Sequence, residues 1–161
     1  MEVTIRTMTG REFEAFFRWS VEQQAKELAE EFRMPREAAQ KEALAELAAM
    51  LPDGLHTKGC HLMTIVAEGE AAGYLWTIRE ETEGRRQSFV CDFAIREEKR
   101  RKGFGTAALL LAEQQAAEAG CTESVLFVAD RNTAAQALYR KCGYRVLRQE
   151  GYGHYMIKML P

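Results

Sequence analysis

The stretch REEKRRKGFGTAALLLAEQQAAEAG, residues 96–120, constrains the chain more than any other part of it. A basic run ends in Gly103-Phe104-Gly105 and passes straight into an Ala- and Leu-rich segment of helical character. Glycines at the mouth of a helix let backbone N–H groups approach an anion closely, and the helix dipole favours negative charge there. The segment predicts a phosphate-binding loop. What remains is which phosphate, and for what chemistry.

Size and charge narrow the classes. A chain of 161 residues suits one domain, expected to span 1–161. Its content of 47% hydrophobic and 29% charged residues is ordinary for a globular protein and supplies a core. The net charge of -2 gives no global pull toward nucleic acid or an anionic membrane, and the basic run from Lys99 to Lys102 is local. No apolar stretch approaches the roughly 20 residues of a membrane span. The N-terminal MEVTIRTMTG lacks a signal-peptide apolar core. Cys60, Cys91, Cys121 and Cys142 are scattered without a C-x-x-C and read as reduced thiols of a cytoplasmic protein. His56, Cys60 and His61 are too few for a metal site, so no metal is expected.

Residues 2–8 alternate like a strand, and Thr9 with Glu12 forms a capping-box signature. Phe13, Phe16, Phe17 and Leu28 then share a helical face. MPRE ends that helix, Pro35 suits the first position of another, and Leu44, Leu47 and Leu51 give residues 36–50 an apolar stripe. LPDGLHTKG is a loop. HLMTIVAEGEAAGYLWTIRE reads as two strands around a turn at Glu68–Glu70, ETEGRRQ as another turn, and SFVCDFAI as a third strand. After the helix from about 104 to 119, Gly120 marks a stop and SVLFVAD a strand buried on both faces. A helix from Thr133 to Cys142 and a closing hairpin complete the order β-α-α-β-β-β-α-β-α-β-β. That order implies an α/β fold, a mixed sheet with helices on its faces.

Three glycine-loop chemistries compete. A Walker A loop needs Lys after its last glycine, whereas Lys102 precedes Gly103. Gly103-Phe104-Gly105-Thr106-Ala107-Ala108 fits the dinucleotide pattern G-x-G-x-x-A, and Asp130 ends the next strand. That pattern wants its first glycine directly after the strand, but residues 96–102 intervene. The third pattern is the pyrophosphate loop Arg/Gln-x-x-Gly-x-Gly/Ala, and Arg100-Arg101-Lys102-Gly103-Phe104-Gly105 matches every fixed position. A second motif agrees: NTAAQALYRKCGY, residues 132–144, matches Asn-x-x-Ala-x-x-Leu-Tyr-x-x-x-Gly-Phe/Tyr. Asn132 can cap a helix on which Ala135 and Tyr139 share its face, with Leu138 and Cys142 on the core side.

At these residues the chain resembles the GNAT superfamily of acetyl-CoA-dependent N-acetyltransferases, and a bacterial branch of it most closely. The resemblance covers nearly the whole chain in element order and is sharpest from Phe89 to Tyr144. It implies a mostly antiparallel mixed sheet of about seven strands flanked by about four helices, splayed at the strand before the loop. It implies acetyl-CoA as the donor, an amine on a small molecule or peptide as the acceptor, and direct transfer through a tetrahedral intermediate.

The loop N–H groups of Gly103, Phe104, Gly105 and Thr106 would hold the diphosphate, with Arg100, Arg101 and Lys102 around them. Asn132, Ala135 and Tyr139 would line the coenzyme along the second motif. By the resemblance, Phe93, Ala94 and Ile95 offer backbone contacts to the pantetheine arm. Tyr139 is the general-acid candidate. Asp92, a carboxylate in an otherwise apolar strand, is the candidate base or amine binder. Glu68, Glu80 and His61 are weaker candidates. Glu22, Glu27, Glu30, Glu31, Glu37, Glu42 and Glu46 read as a solvated face that can also favour a cationic amine. LPDGLHTKGCHL could line the acceptor cleft. The alternative is a non-catalytic acyl-CoA-binding regulatory module; the resemblance also leaves a homodimer open.

Overall fold

The structure, a computed structural model, describes residues 2–161. Its elements are β1 (Val3–Thr7), α1 (Gly10–Phe32), α2 (Arg36–Met50), β2 (Cys60–Ala67), β3 (Glu70–Thr82), β4 (Arg85–Ile95), α3 (Phe104–Glu118), β5 (Glu123–Ala129), α4 (Thr133–Lys141), β6 (Arg145–Glu150) and β7 (Gly153–Met159). The order of helices and strands is the expected one. The strands form one sheet in the order β1-β2-β3-β4-β5-β7-β6, and only β4 and β5 run parallel.

Local chemistry sets the boundaries. Thr9 caps α1 with a complete capping box: its hydroxyl accepts the Glu12 N–H at 3.1 Å and its own N–H donates to Glu12 at 2.8 Å. Arg6 grips the same carboxylate and is the main cause that holds it down near a pKa of about 2. Pro35 is the N-cap of α2 rather than its first residue. The buried stripe of α2 is Ala39, Ala43 and Leu47, while Leu44 is 51% exposed. Alanines at spacing four let α2 pack close to α1, which turns Leu44 outward. The two turns of the β2–β3–β4 meander are tighter than expected. Each is a Glu-Gly pair with positive φ, Glu68-Gly69 at 53° and 83° and Glu83-Gly84 at 51° and 77°. A two-residue turn of this hand matches the strand twist, so the flanking residues join the strands.

The sheet has an apolar face on either side. Leu75, Val90, Leu109, Leu126 and Met156 form the core under α3. Phe16, Leu47, Leu62 and Trp76 form the core under α1 and α2. A buried polar cluster ties α3 to the sheet: the Tyr144 hydroxyl bonds Ser124 at 2.7 Å and donates to Glu113 at 3.0 Å, and Glu113 pairs with Lys158 at 2.6 Å.

The feature that shapes the site is a break in pairing. Trp76 pairs with Asp92 but Thr77 pairs with Val90, so Cys91 is an extra residue in β4. β4 pairs with β5 only over Gln87–Val90 against Glu123–Leu126. Beyond the bulge β4 stays on β3 while β5 stays on β7, and the two part. The expected splay lies at this point.

Gly73 holds β3 against the splayed end of β4, where a Cβ would overlap the Ala94 carbonyl oxygen and meet Ile95 Cα at 3.1 Å. We expect Gly73→Ala to destabilise the fold by about 1–3 kcal/mol in denaturant unfolding. An unchanged midpoint would contradict this packing.

Candidate active site

The glycine loop leads directly into α3. Arg101 (φ 63°) and Gly103 (φ 81°) turn the backbone into the left-handed region on either side of Lys102. Such turns gather successive N–H groups on one side. Gly103 is the N-cap of α3 and offers no side-chain cap. The N–H groups from Lys102 to Thr106 find no acceptor among the described residues. A Cβ on Gly105 would meet Phe93 Cζ at 3.3 Å and Ile95 Cγ1 at 3.5 Å, so glycine seats the helix mouth on the end of β4. A cavity of about 610 Å³ opens in front of this mouth, between Phe93–Ile95 on one side and α4 on the other.

The basic side chains divide. Arg101 and Arg100 both line the cavity, but Arg100 Nε donates to the Ile95 carbonyl at 2.8 Å and latches the loop to β4. Lys102 does not line it. Its charge acts instead on Glu70, the partner of Lys99 at 3.0 Å.

Helix α4 supplies the opposite wall. Asn132 Oδ1 caps it by accepting the Ala135 N–H at 3.2 Å. Asn132, Ala135 and Tyr139 all face the cavity. Leu138 faces it as well, near Gly105, and not the core as its spacing suggested; Cys142 does pack on the core. The Tyr139 ring stands edge-on to Tyr144 at 5.9 Å. Burial, with a smaller push from the Asp92 charge, raises the Tyr139 phenol to a pKa of about 12.

Across the splay from this cavity lies a second cleft of about 790 Å³, between α1 and the β4–β5 opening. Phe93, Asn132, Ala135 and Tyr139 line both spaces, so the two meet at Tyr139. Asp92 opens into the second cleft just past the bulge. Ser20 Oγ of α1 donates to its carboxylate at 2.6 Å. Burial outweighs that hydrogen bond and pushes the carboxyl up to about 6.

Glu68, Glu80 and His61 line neither space. Glu68 sits in an exposed turn, Glu80 takes a hydrogen bond from Gln87, and His61 is lowered by burial and by Arg79 and Arg86. The segment LPDGLHTKGCHL does not line this second cleft, whose walls are α1, β4, β5, α4 and the β6–β7 turn. Sequence reasoning missed Phe127 and Tyr152 there, and read Glu27 and Glu30 as part of a solvated face that can also favour a cationic amine.

Residues 20–144 match the family described as Acetyltransferase (GNAT) family. The chain is 30% identical over 145 residues to YdgE, an uncharacterized N-acetyltransferase of Bacillus subtilis (strain 168), covering 89% of this chain and 92% of that protein. It is 27% identical to the N-acetyltransferase YycN of the same organism, over 90% of this chain and 94% of that protein. The crystal structure of YycN superposes with a TM-score of 0.86 at 26% identity, over 92% of this chain and 96% of that one. Spermidine N-acetyltransferase from Vibrio cholerae, crystallised with coenzyme A and spermine, shares the fold at a TM-score of 0.69 and 16% identity, over 98% and 95% of the two chains. The chain, with its splayed sheet and open helix mouth, belongs to the GNAT acetyltransferase family.

Proposed function

We infer that this chain is an N-acetyltransferase, one domain over 1–161, that moves the acetyl group of acetyl-CoA directly to an amine on a small molecule or peptide. The observation that carries this reading is the meeting of two spaces at Tyr139, one ending in unpartnered loop N–H groups and the other in a buried carboxylate. The four free cysteines suit a reducing compartment, and we place the protein in the cytoplasm.

The residues fit a coenzyme. The N–H donors of Gly103, Phe104, Gly105 and Thr106 hold a diphosphate where the α3 dipole favours it, and Arg101 adds charge. Past the bulge no strand pairs with the far edge of β4, so the Phe93 carbonyl and the Ile95 N–H can pair with the amides of an extended arm, whereas Ala94 faces β3 and the Ile95 carbonyl is held by Arg100. Asn132 and Ala135 keep the α4 wall low beside it. Bound there, acetyl-CoA supplies a thioester-activated acetyl group.

Asp92 binds the acceptor amine and takes its proton. A carboxylate with a pKa of about 6 is ionised at neutral pH yet a stronger base than an exposed one. Tyr139 works at the other end. Full transfer of its proton, from a pKa of about 12 to an ordinary thiol, is uphill by about 5 kcal/mol. Tyr139 therefore acts chiefly as a fixed hydrogen-bond donor to a departing thiolate. Cys91 also lines the cleft, but burial pushes its thiol up and keeps it protonated. This favours direct transfer over a covalent enzyme intermediate. A non-catalytic acyl-CoA module would have no use for a buried carboxylate and phenol at the meeting point.

Release of coenzyme thiol against an amine panel tests the assignment. Tyr139→Phe should lower kcat roughly 10- to 100-fold while acetyl-CoA affinity stays within about threefold. Unchanged kcat would remove Tyr139 from the chemistry.

Asp92→Asn should lower kcat about 100-fold or more and abolish an acid limb in the parent rate profile near pH 6. The same substitution should stabilise the fold. Asp92 titrates higher in the folded protein than its ordinary 3.8, so stability falls as pH rises from there through about 6. At pH 7 we expect Asp92→Asn to gain about 1–3 kcal/mol in denaturant unfolding. Full activity, or a variant less stable at pH 7 than the parent, would contradict the role of a buried, costly carboxylate.

A further inference from the structure

We propose that Glu27 is the specificity-determining residue for the acceptor, holding a second positive charge of the substrate so that the enzyme favours diamines and longer oligoamines over monoamines. This rests on the acetyltransferase reading above.

The cleft is much larger than one amino group requires. It runs from Asp92 and Tyr139 to the Tyr152 turn. Its charged lining is Asp92, Glu27 and Glu30 against Lys26 and Arg131. Arg131 is already engaged, with Glu30 at 2.7 Å and Glu31 at 3.0 Å. Lys26 stands exposed at the rim. Glu27 is half-buried and has no ion-pair partner among the described residues. Its charge acts on Asp92 and on the Tyr152 phenol, which lies at the other end of the cleft. The reacting end and the distal end thus each carry a carboxylate that lacks a cation.

The floor between them is aromatic. Phe127 stands edge-on to Tyr152 at 5.4 Å and to Tyr155 at 5.1 Å. At the far end of this row, outside the cleft, the Arg148 guanidinium lies 4.4 Å from the Tyr155 ring centroid. Phe127 and Tyr152 continue into a neighbouring groove of about 650 Å³. An apolar floor suits the methylenes of an alkyl chain, and a carboxylate beside an aromatic face suits an ammonium. A monoamine with a neutral tail would desolvate Glu27 with only the Tyr152 hydroxyl beside it and no cation, so the same residue that attracts a dication disfavours a monocation.

The test compares kcat/KM for α,ω-diaminoalkanes of three to six carbons with the monoamines that carry a methyl group in place of the distal ammonium. Acetyl-CoA affinity of each protein serves as the control for folding. The parent should prefer the best diamine over its isostere by about tenfold or more. Glu27→Gln should bring that ratio close to one, mainly through the KM of the diamine, and Glu27→Asp should retain part of it. A ratio near one throughout the series in the parent, or a preference that Glu27→Gln leaves intact, overturns the proposal. A parent that binds acetyl-CoA but acetylates none of these amines overturns it alone. A parent that does not bind acetyl-CoA overturns this proposal and the acetyltransferase reading together.

Discussion

The site depends on one change in backbone pairing. Through Val90, β4 is bonded on both sides; past the extra residue Cys91 it is bonded only to β3. Polar groups on the edge of a sheet interior cannot stay unpaired at no cost, so a fold that keeps such an opening is built for something to enter it. The opening also gives depth. One side leads to the mouth of α3, the other to α1 and the acidic cleft, and Tyr139 stands where they join. The bulge and the glycine contact at Gly73 hold the splayed strand in place on its remaining neighbour.

Burial around that junction moves two ionisable groups in ways that suit opposite tasks. Asp92 rises to about 6 and stays ionised at neutral pH, as the proposed base must. Tyr139 rises to about 12 and stays protonated as a donor. Each discourages a second charge nearby: the Asp92 carboxylate is one cause of the raised Tyr139 phenol. The same desolvation makes Asp92 costly to the folded state, an expense typical of residues kept for chemistry. Support comes from outside the cleft. Ser20 of α1 orients Asp92, and the Tyr144–Glu113–Lys158 cluster fixes the ring on which Tyr139 leans.

Much of this was legible in the chain because the relevant signals are local. The glycine mouth, the Thr9–Glu12 capping box and the Asn132 cap are short-range chemistry, and each forms as read. The splay was available only through the family resemblance, since it depends on register between strands far apart in sequence. Side-chain direction was harder still. Leu138 faces the cavity at the mouth of α3 and Lys102 stays out of it, because left-handed residues and a neighbouring helix decide what a spacing rule cannot. The second cleft, the proposed acceptor site, was the least legible part. Glu27, Phe127 and Tyr152 come from three distant segments, and no pattern along the chain links them.

The central claim is that the mouth of α3 binds the diphosphate of acetyl-CoA. Calorimetric titration with acetyl-CoA tests it most directly, on the parent and on Gly103→Glu, with circular dichroism as the check on folding. Gly103→Asn, whose side chain tolerates the left-handed backbone, separates strain from the clash of a carboxylate with phosphate. We predict one site in the parent, most of that affinity in Gly103→Asn, and none in a folded Gly103→Glu. A parent that does not bind, or a Gly103→Glu protein that binds as the parent does, would contradict the account.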